Sequence, residues 1–116
     1  MTDRSLPTPY AAFALPLYQD RDSAHDADHI RRIVGRLDQL AIDLEPQPRP
    51  WMLYFLAYFH GLGSRVDQDR TFRHQVEQFL GDLGWQRSEI TEGFVLLRRH
   101  CVAPRTSEER IVHDAN

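Results

Sequence analysis

The histidines are the residues whose type and spacing could do chemistry. The chain has six of them, and an imidazole can bind a divalent metal ion or transfer a proton near neutral pH. His25 and His29 are four residues apart, so a helix would place both on one side, one turn apart. His60 ends an apolar run and is followed by Gly61. These positions predict imidazoles at the border of a core, where they can act as metal ligands.

A buried neutral imidazole needs either a hydrogen-bond partner or a metal ion. This requirement singles out His60. Two other candidates also border apolar faces: His100 flanks the stripe of a later helix, and Asp114 lies within about 60° of Ile111 on the last helix. Taken singly, each candidate is more simply explained as a hydrogen-bonded or exposed side chain, because short spacing motifs have many chance matches. Taken together, they favour a site.

The elements that must position these residues are helices. Apolar residues recur at intervals of three and four along the sequence, whereas it has no alternating runs typical of strands. The sequence therefore predicts an all-α, compact bundle of about six helices, forming one domain over residues 1–116. Residues 1–22 are expected to supply an N-terminal helix and a connection, and residues 23–116 the core.

Capping and breaking residues predict the boundaries of the first three helices. The first helix is expected near Pro9–Gln19, with a break at Pro16. The second begins at a capping box formed by Ser23 and Asp26, and apolar residues continue through it at helical spacing. The third, Trp51–Phe59, is apolar on every side, which is typical of a helix surrounded by others.

The second half of the chain is predicted to contain a loop and three more helices. Glycines and polar residues favour a loop over residues 61–69, before an amphipathic helix between Phe72 and Gly84. Ser88 is a candidate cap for the following helix. Thr106 and Glu109 form a second candidate capping box, which would open the last helix.

Charge and composition argue against several classes of protein. The net charge of −3 and the pI near 6.0 do not favour binding to duplex nucleic acid, which needs a basic surface. The apolar run of residues 52–59 is far shorter than the roughly 20 residues of a membrane span. Cys101 is the single cysteine, so an internal disulfide is excluded and a cytoplasmic location is expected. Its simplest role is apolar packing.

Three motifs in order resemble those of the HD superfamily of metal-dependent phosphohydrolases. His29 is followed three residues later by Arg32 and then by an aliphatic residue, as in the opening motif of the family. The apolar helix ending in His60 resembles the motif that carries the His-Asp pair, although Gly61 stands where the family has Asp. Asp114 fills the place of the closing aspartate. The resemblance extends from His25 to the end of the chain.

The resemblance implies a set of site residues, none of them assigned as catalytic. His29, His60 and Asp114 would bind a divalent metal ion, with Mn, Fe, Zn, Ni and Mg as candidates. His74 and His100 would serve a second metal ion or a phosphate group, although helical spacing predicts that His74 is exposed. His25 and Arg32 would orient the site or contact substrate. A surface salt bridge to Asp28 or Asp22 would explain the latter two nearly as well.

The function implied is hydrolysis of a nucleotide or another phosphate ester. The alternative is a catalytically silent HD-like module that binds a nucleotide or a protein partner in a regulatory role, and Gly61 favours this alternative because it removes a carboxylate ligand. A third reading is a structural bundle with scattered histidines. Relatives continue beyond the closing aspartate, so the core is expected to be short at its C-terminus and to associate into a homo-oligomer.

Overall fold

The computed structural model describes residues 3–18, 27–41, 47–99 and 105–115. These residues form an all-α bundle, which confirms the predicted fold class, and its radius of gyration is 13.1 Å. The α-helices of the described residues are α1 (Thr8–Ala14), α2 (Ala27–Ala41), α3 (Pro50–Phe59), α4 (Gly63–Gln68), α5 (Arg70–Asp82), α6 (Arg87–Arg99) and α7 (Ser107–Ala115). Two short 3₁₀ helices, Leu15–Tyr18 and His60–Leu62, follow α1 and α3. None of the helices described is both long and apolar enough to cross a membrane.

The N-terminal segment changes its helix type where a proline was predicted to break it. The α1 helix ends at Ala14, and Pro16 lies in the 3₁₀ helix that follows. Proline cannot donate the hydrogen bond that an α-helix needs in its interior, so the tighter turn accommodates it. The buried Tyr18 at the end of this turn donates a hydrogen bond to the carbonyl oxygen of Tyr58, at 2.7 Å. The segment is thereby attached to the end of α3.

The amphipathic pattern of α2 is reproduced in its burial. Ile30, Ile33 and Leu37 are at most 1% exposed, and they follow one another at helical intervals on one face. On the opposite side, Arg31 pairs with Asp28 at 2.9 Å. Burial of the apolar face holds this helix against its neighbours. The predicted capping box at Ser23 and Asp26 lies outside the described residues.

The central helix of the bundle is α3, as its all-apolar sequence predicts. Pro50 occupies its first position, where a missing N–H costs no intrahelical bond. The helix packs against α1, α2, α6 and α7. Its buried residues are Met52, Leu53, Phe55, Leu56, Ala57, Tyr58 and Phe59. Since α3 runs through the core, His60, which follows its last residue, lies at the edge of the core.

The segment after His60 was predicted to be a loop, and that prediction was wrong. The chain continues instead through the 3₁₀ helix into α4. The glycines and polar residues of this segment suggested a loop, but Val66 is only 2% exposed and anchors α4 to the core. Packing of one apolar residue has overridden the local sequence preference. Asp69 then caps α5 by accepting a hydrogen bond from the backbone N–H of Phe72 at 3.1 Å.

The junction between α5 and α6 depends on a glycine. Gly84 has a φ of +99° and, within the described residues, is the one residue with positive φ, in keeping with its predicted position just beyond the end of α5. Ser88 was predicted to cap the next helix, but α6 already begins at Arg87. The Glu89 carboxylate accepts a hydrogen bond from the backbone N–H of Gln86 at 2.8 Å. Glu89, rather than Ser88, therefore provides the side-chain hydrogen bond at the start of α6.

The last helix begins at the predicted capping box. The Thr106 hydroxyl accepts a hydrogen bond from the backbone N–H of Glu109 at 3.2 Å, and the Glu109 carboxylate accepts one from the backbone N–H of Thr106 at 2.9 Å. Arg49, just before α3, donates to carboxylates on two helices, Glu92 of α6 and Glu108 of α7. These bonds fix the start of α7 beside the start of α3.

Candidate functional site

Two of the predicted ligands, His29 and His60, lie together. His29 is in the first turns of α2, and His60 is the residue at which α3 gives way to the 3₁₀ helix. Their ring centroids are 5.7 Å apart, with an angle of 63° between the ring planes. Residues separated by most of two helices and a connection are thus brought to one point at the edge of the core, where both side chains are partly exposed.

A hydrogen bond determines which nitrogen of His60 carries the proton. Nδ1 lies 3.0 Å from the carbonyl oxygen of Ala57. A carbonyl oxygen only accepts, so Nδ1 is the protonated nitrogen and Nε2 has a lone pair in the neutral ring. The same arrangement is common among metal-bound histidines, in which the nitrogen that does not bind the metal donates to a carbonyl group. His60 is therefore in a tautomer that suits binding through Nε2.

The backbone beneath this site is fixed by Tyr18. Its hydroxyl donates to the carbonyl oxygen of Tyr58 and also lies 3.3 Å from the backbone nitrogen of Gly61, whose N–H donates to it. The turn that presents His60 is therefore held from below by a side chain of the N-terminal segment. Sequence analysis missed this role of Tyr18, because nothing in its local sequence distinguishes it from other core aromatic residues.

Asp114 does not join the histidine pair within the structure described. Its side chain is 68% exposed, and its carboxylate lies 3.6 Å from Nδ1 of its neighbour His113. Asp114 thus lies on the exposed side of α7, away from buried residues such as Val112 and Ala115, and its role as a ligand stays a prediction. In the described part of the chain, no group of three or more His, Cys, Asp or Glu side chains is placed to hold a metal ion.

Arg32 lies on α2, three residues after His29, and its side chain is exposed. The sequence left open a salt bridge from Arg32 to Asp28, but Arg31 makes that pair. Arg36, one further turn along, donates to the carbonyl oxygen of Ala115 at 3.1 Å. By helical spacing, His29, Arg32 and Arg36 lie within about 60° of one another. The sequence analysis passed over Arg36, although its position four residues after Arg32 is a usable signal.

The other candidates divide into two groups. His25 and His100 lie outside the described residues, as do Asp22 and Cys101. His74 is exposed on α5, as its helical position predicts. It lines surface grooves whose walls include neither His29 nor His60.

Comparison with known proteins does not identify a family for this chain. A scan of protein-family models found no match, and comparisons with curated proteins and with solved structures found no significant similarity. What the described residues define is an all-α bundle with an imidazole pair at one edge of its core.

Proposed function

We propose that this chain is an HD-like protein that holds a divalent metal ion between His29 and His60 and acts on a nucleotide or another phosphate ester. The observation that carries the proposal is the 5.7 Å separation of the two imidazole rings. The tautomer of His60, set by the carbonyl oxygen of Ala57, supports it further. The order of the three sequence motifs supports the choice of superfamily.

The spacing of the two rings is suitable for a shared ion. A metal bound at about 2.1 Å lies about 3 Å from the ring centre, so two imidazoles at tetrahedral angles have centroids about 5 Å apart. The measured 5.7 Å is close to this value. Imidazole ligands suit first-row metals such as Mn, Fe, Ni and Zn better than Mg.

Different residues of this chain would bind the metal ion and the substrate. A bound divalent ion supplies a more acidic water and neutralises charge on a phosphoryl group. His29 and His60 would hold the ion, and Arg32 would bind a phosphate oxygen, because its guanidinium is exposed and, among the described residues, has no ion-pair partner. Asp114, at the α7 end that Arg36 contacts, is the candidate third ligand if it moves toward the pair.

The second candidate function is a catalytically silent HD-like module that binds a nucleotide or a protein partner. Two observations favour it. Gly61 supplies no carboxylate beside His60, and the carboxylate of Asp114 is 68% exposed. Two imidazoles hold an ion more weakly than a complete set of ligands. The cytoplasmic location and the homo-oligomer expected from the sequence stay predictions under both functions.

Metal titration of matched histidine variants tests the proposal. Calorimetry with Mn²⁺ or Zn²⁺ should show that His29→Gln and His60→Gln each weaken binding by about tenfold or more. His74→Gln should not, since it replaces an exposed histidine that lines a groove without His29 and His60. Circular dichroism would check that each variant is folded. Equal affinities for all three variants would refute the metal site.

Turnover separates the two candidate functions. The hydrolysis of p-nitrophenyl phosphate should be measured with and without the same metal, for the wild type and for His29→Gln. Metal-dependent hydrolysis that His29→Gln abolishes supports the phosphohydrolase. Metal binding without hydrolysis, across a panel that includes nucleoside monophosphates, supports the silent module.

A further inference from the structure

A groove follows the exposed side of α5 and continues between α5 and α6. It consists of two adjoining cavities with volumes of about 420 and 410 Å³, and His74 and Glu77 line both. Small-molecule sites in proteins typically enclose roughly 300–1,000 Å³. Each cavity is therefore large enough for a small organic ligand. Neither includes His29 or His60, so this groove is separate from the proposed metal site.

The floor of the groove between α5 and α6 is aromatic and held rigidly. Trp85, Ile90 and Phe94 line it. The indole of Trp85 donates through Nε1 to the hydroxyl oxygen of Tyr10 at 3.1 Å, and it lies edge to face with Phe55 at a centroid distance of 5.4 Å. Because these contacts fix the floor from inside the core, it can accept a flat apolar ring without rearranging.

The walls of the groove carry positive charge. Arg70 and Arg73 line one cavity and Arg87 lines the other, whereas Glu77 is the one acidic residue among the described residues that line either. These described lining residues have a formal charge of +2, from three arginines and one glutamate. The whole chain has a net charge of −3. Since the groove is positive on a chain that is negative as a whole, it is complementary to an anion.

Arg87 is the cation best placed to bind a ligand. It is exposed, and within the described segments it has no ion-pair partner. It is also the first residue of α6, where a positive charge is unfavourable because the helix dipole is positive at that end. By contrast, Arg73 donates to the backbone carbonyl oxygens of Val66 and Asp67, at 2.8 and 2.6 Å. The guanidinium of Arg87 is therefore available to a ligand.

We propose that this groove binds a small organic anion that has a flat apolar ring. The ring lies on Ile90 and Phe94 beside the edge of Trp85. The acidic group, a carboxylate, sulfate or phosphate, lies between Arg87 on α6 and His74 on α5, which line the same cavity from opposite helices. Both side chains can donate hydrogen bonds to its oxygens. The proposal is independent of the function proposed for the histidine pair.

Titration with 2-naphthalenesulfonate, followed by the backbone amide resonances of the labelled protein, tests this site. We expect saturable shifts concentrated in residues 74–78 and 87–94. Arg87→Gln should weaken binding by about fivefold or more, as expected for loss of a charged hydrogen bond. Arg110→Gln, a matched control at an exposed arginine of α7, should leave it unchanged. Methanesulfonate, which lacks the ring, should bind at least about tenfold more weakly.

Three results would overturn the proposal. The first is shifts that do not saturate at millimolar probe or that map around His29 and His60. The second is equal affinity in Arg87→Gln and Arg110→Gln. The third is shifts of the same amides on raising the protein concentration without probe, because these would assign the groove to a second copy of the chain.

Discussion

Glu109 of α7 and Arg99 of α6 are joined by two hydrogen bonds, of 2.8 and 2.9 Å, and the Glu109 side chain is fully buried. The same carboxylate also accepts hydrogen bonds from the backbone N–H groups of Arg105 and Thr106. One acidic group therefore both caps α7 and attaches it to α6. Breaking such a shielded pair from one side costs more than breaking an exposed one, because it leaves a charge without compensation.

The stability of the fold should depend on pH through Glu109. Burial raises the pKa of this carboxyl, but the hydrogen bonds from Arg99, Thr106 and Arg105 lower it by more, to about 2 from its ordinary 4.5. A lowered pKa stabilises the fold fully above pH 4.5, and that contribution is lost as the pH falls toward 2. Glu109→Gln should lower the free energy of unfolding by about 2–3 kcal/mol at pH 7 and flatten its decline in acid. Urea unfolding at a series of pH values measures both effects.

Asp67→Asn is the control for that variant. Asp67 pairs with Arg98 at 2.7 Å, but the two side chains are 36% and 63% exposed. An exposed pair contributes only about 0–1 kcal/mol, so Asp67→Asn should change the free energy of unfolding far less than Glu109→Gln does. If the two variants lost the same stability, the importance given to burial of Glu109 would be wrong.

Restoring the family carboxylate should strengthen the proposed metal site. Gly61→Asp adds a hard anionic ligand beside His60, and we expect metal affinity to rise by about tenfold, together with any phosphatase rate. The backbone accepts the change, because Gly61 is not among the residues with positive φ. Gly63→Asp is the matched control: a Cβ there meets Leu97 only at ordinary contact distance, and affinity should be unchanged. Calorimetry that shows no gain for Gly61→Asp would refute the site as drawn.

Two glycines near the end of α5 should respond in opposite directions to alanine. Gly84 has a φ of +99°, which a Cβ disfavours, so Gly84→Ala should cost about 1–2 kcal/mol of stability. Gly81 lies inside the helix, and a Cβ there meets nothing within 4 Å. Gly81→Ala should therefore stabilise the protein by about 0.5–1 kcal/mol. Urea unfolding of the two variants checks the sign of each change.

The buried hydrogen bond between Tyr10 and Trp85 should be measurable by a double-mutant cycle. The Tyr10 hydroxyl donates to the carbonyl oxygen of Arg4 and accepts from Nε1 of Trp85. Tyr10→Phe leaves the indole N–H without its acceptor, which should cost about 1–3 kcal/mol. The double variant Tyr10→Phe/Trp85→Phe should lose less stability than the two single variants together. Exact additivity would show that the two groups are not coupled.

Sequence predicted those parts of the fold that local rules determine. The spacing of Ile30, Ile33 and Leu37 identified α2, and the box of Thr106 and Glu109 identified the start of α7. Contacts between distant segments were not predictable in the same way. Residues 63–68 were predicted to be a loop, but they form α4. Their helix depends on the burial of Val66 against distant parts of the bundle, which the local sequence does not reveal.

The candidate site was predictable in part for the same reason. The end of an apolar helix is a local signal, and it identified His60. The proximity of His60 to His29 was expected only from the order of the motifs, and their ring centroids are 5.7 Å apart. The role of both residues as ligands stays a prediction. Asp114 was placed by its angle to Ile111 alone, but the buried face of α7 turned out to be centred on the other side of Ile111.

The position of α3 has a consequence for biosynthesis. Two of the helices that cover it, α1 and α2, precede it in the chain, and the other two, α6 and α7, follow it. While the ribosome is still making the second half, the nascent chain contains this ten-residue apolar segment, but only the two helices that precede it are available to cover it. An exposed apolar segment of this kind binds chaperones, and it would promote aggregation if translation stalled before α7 was synthesised.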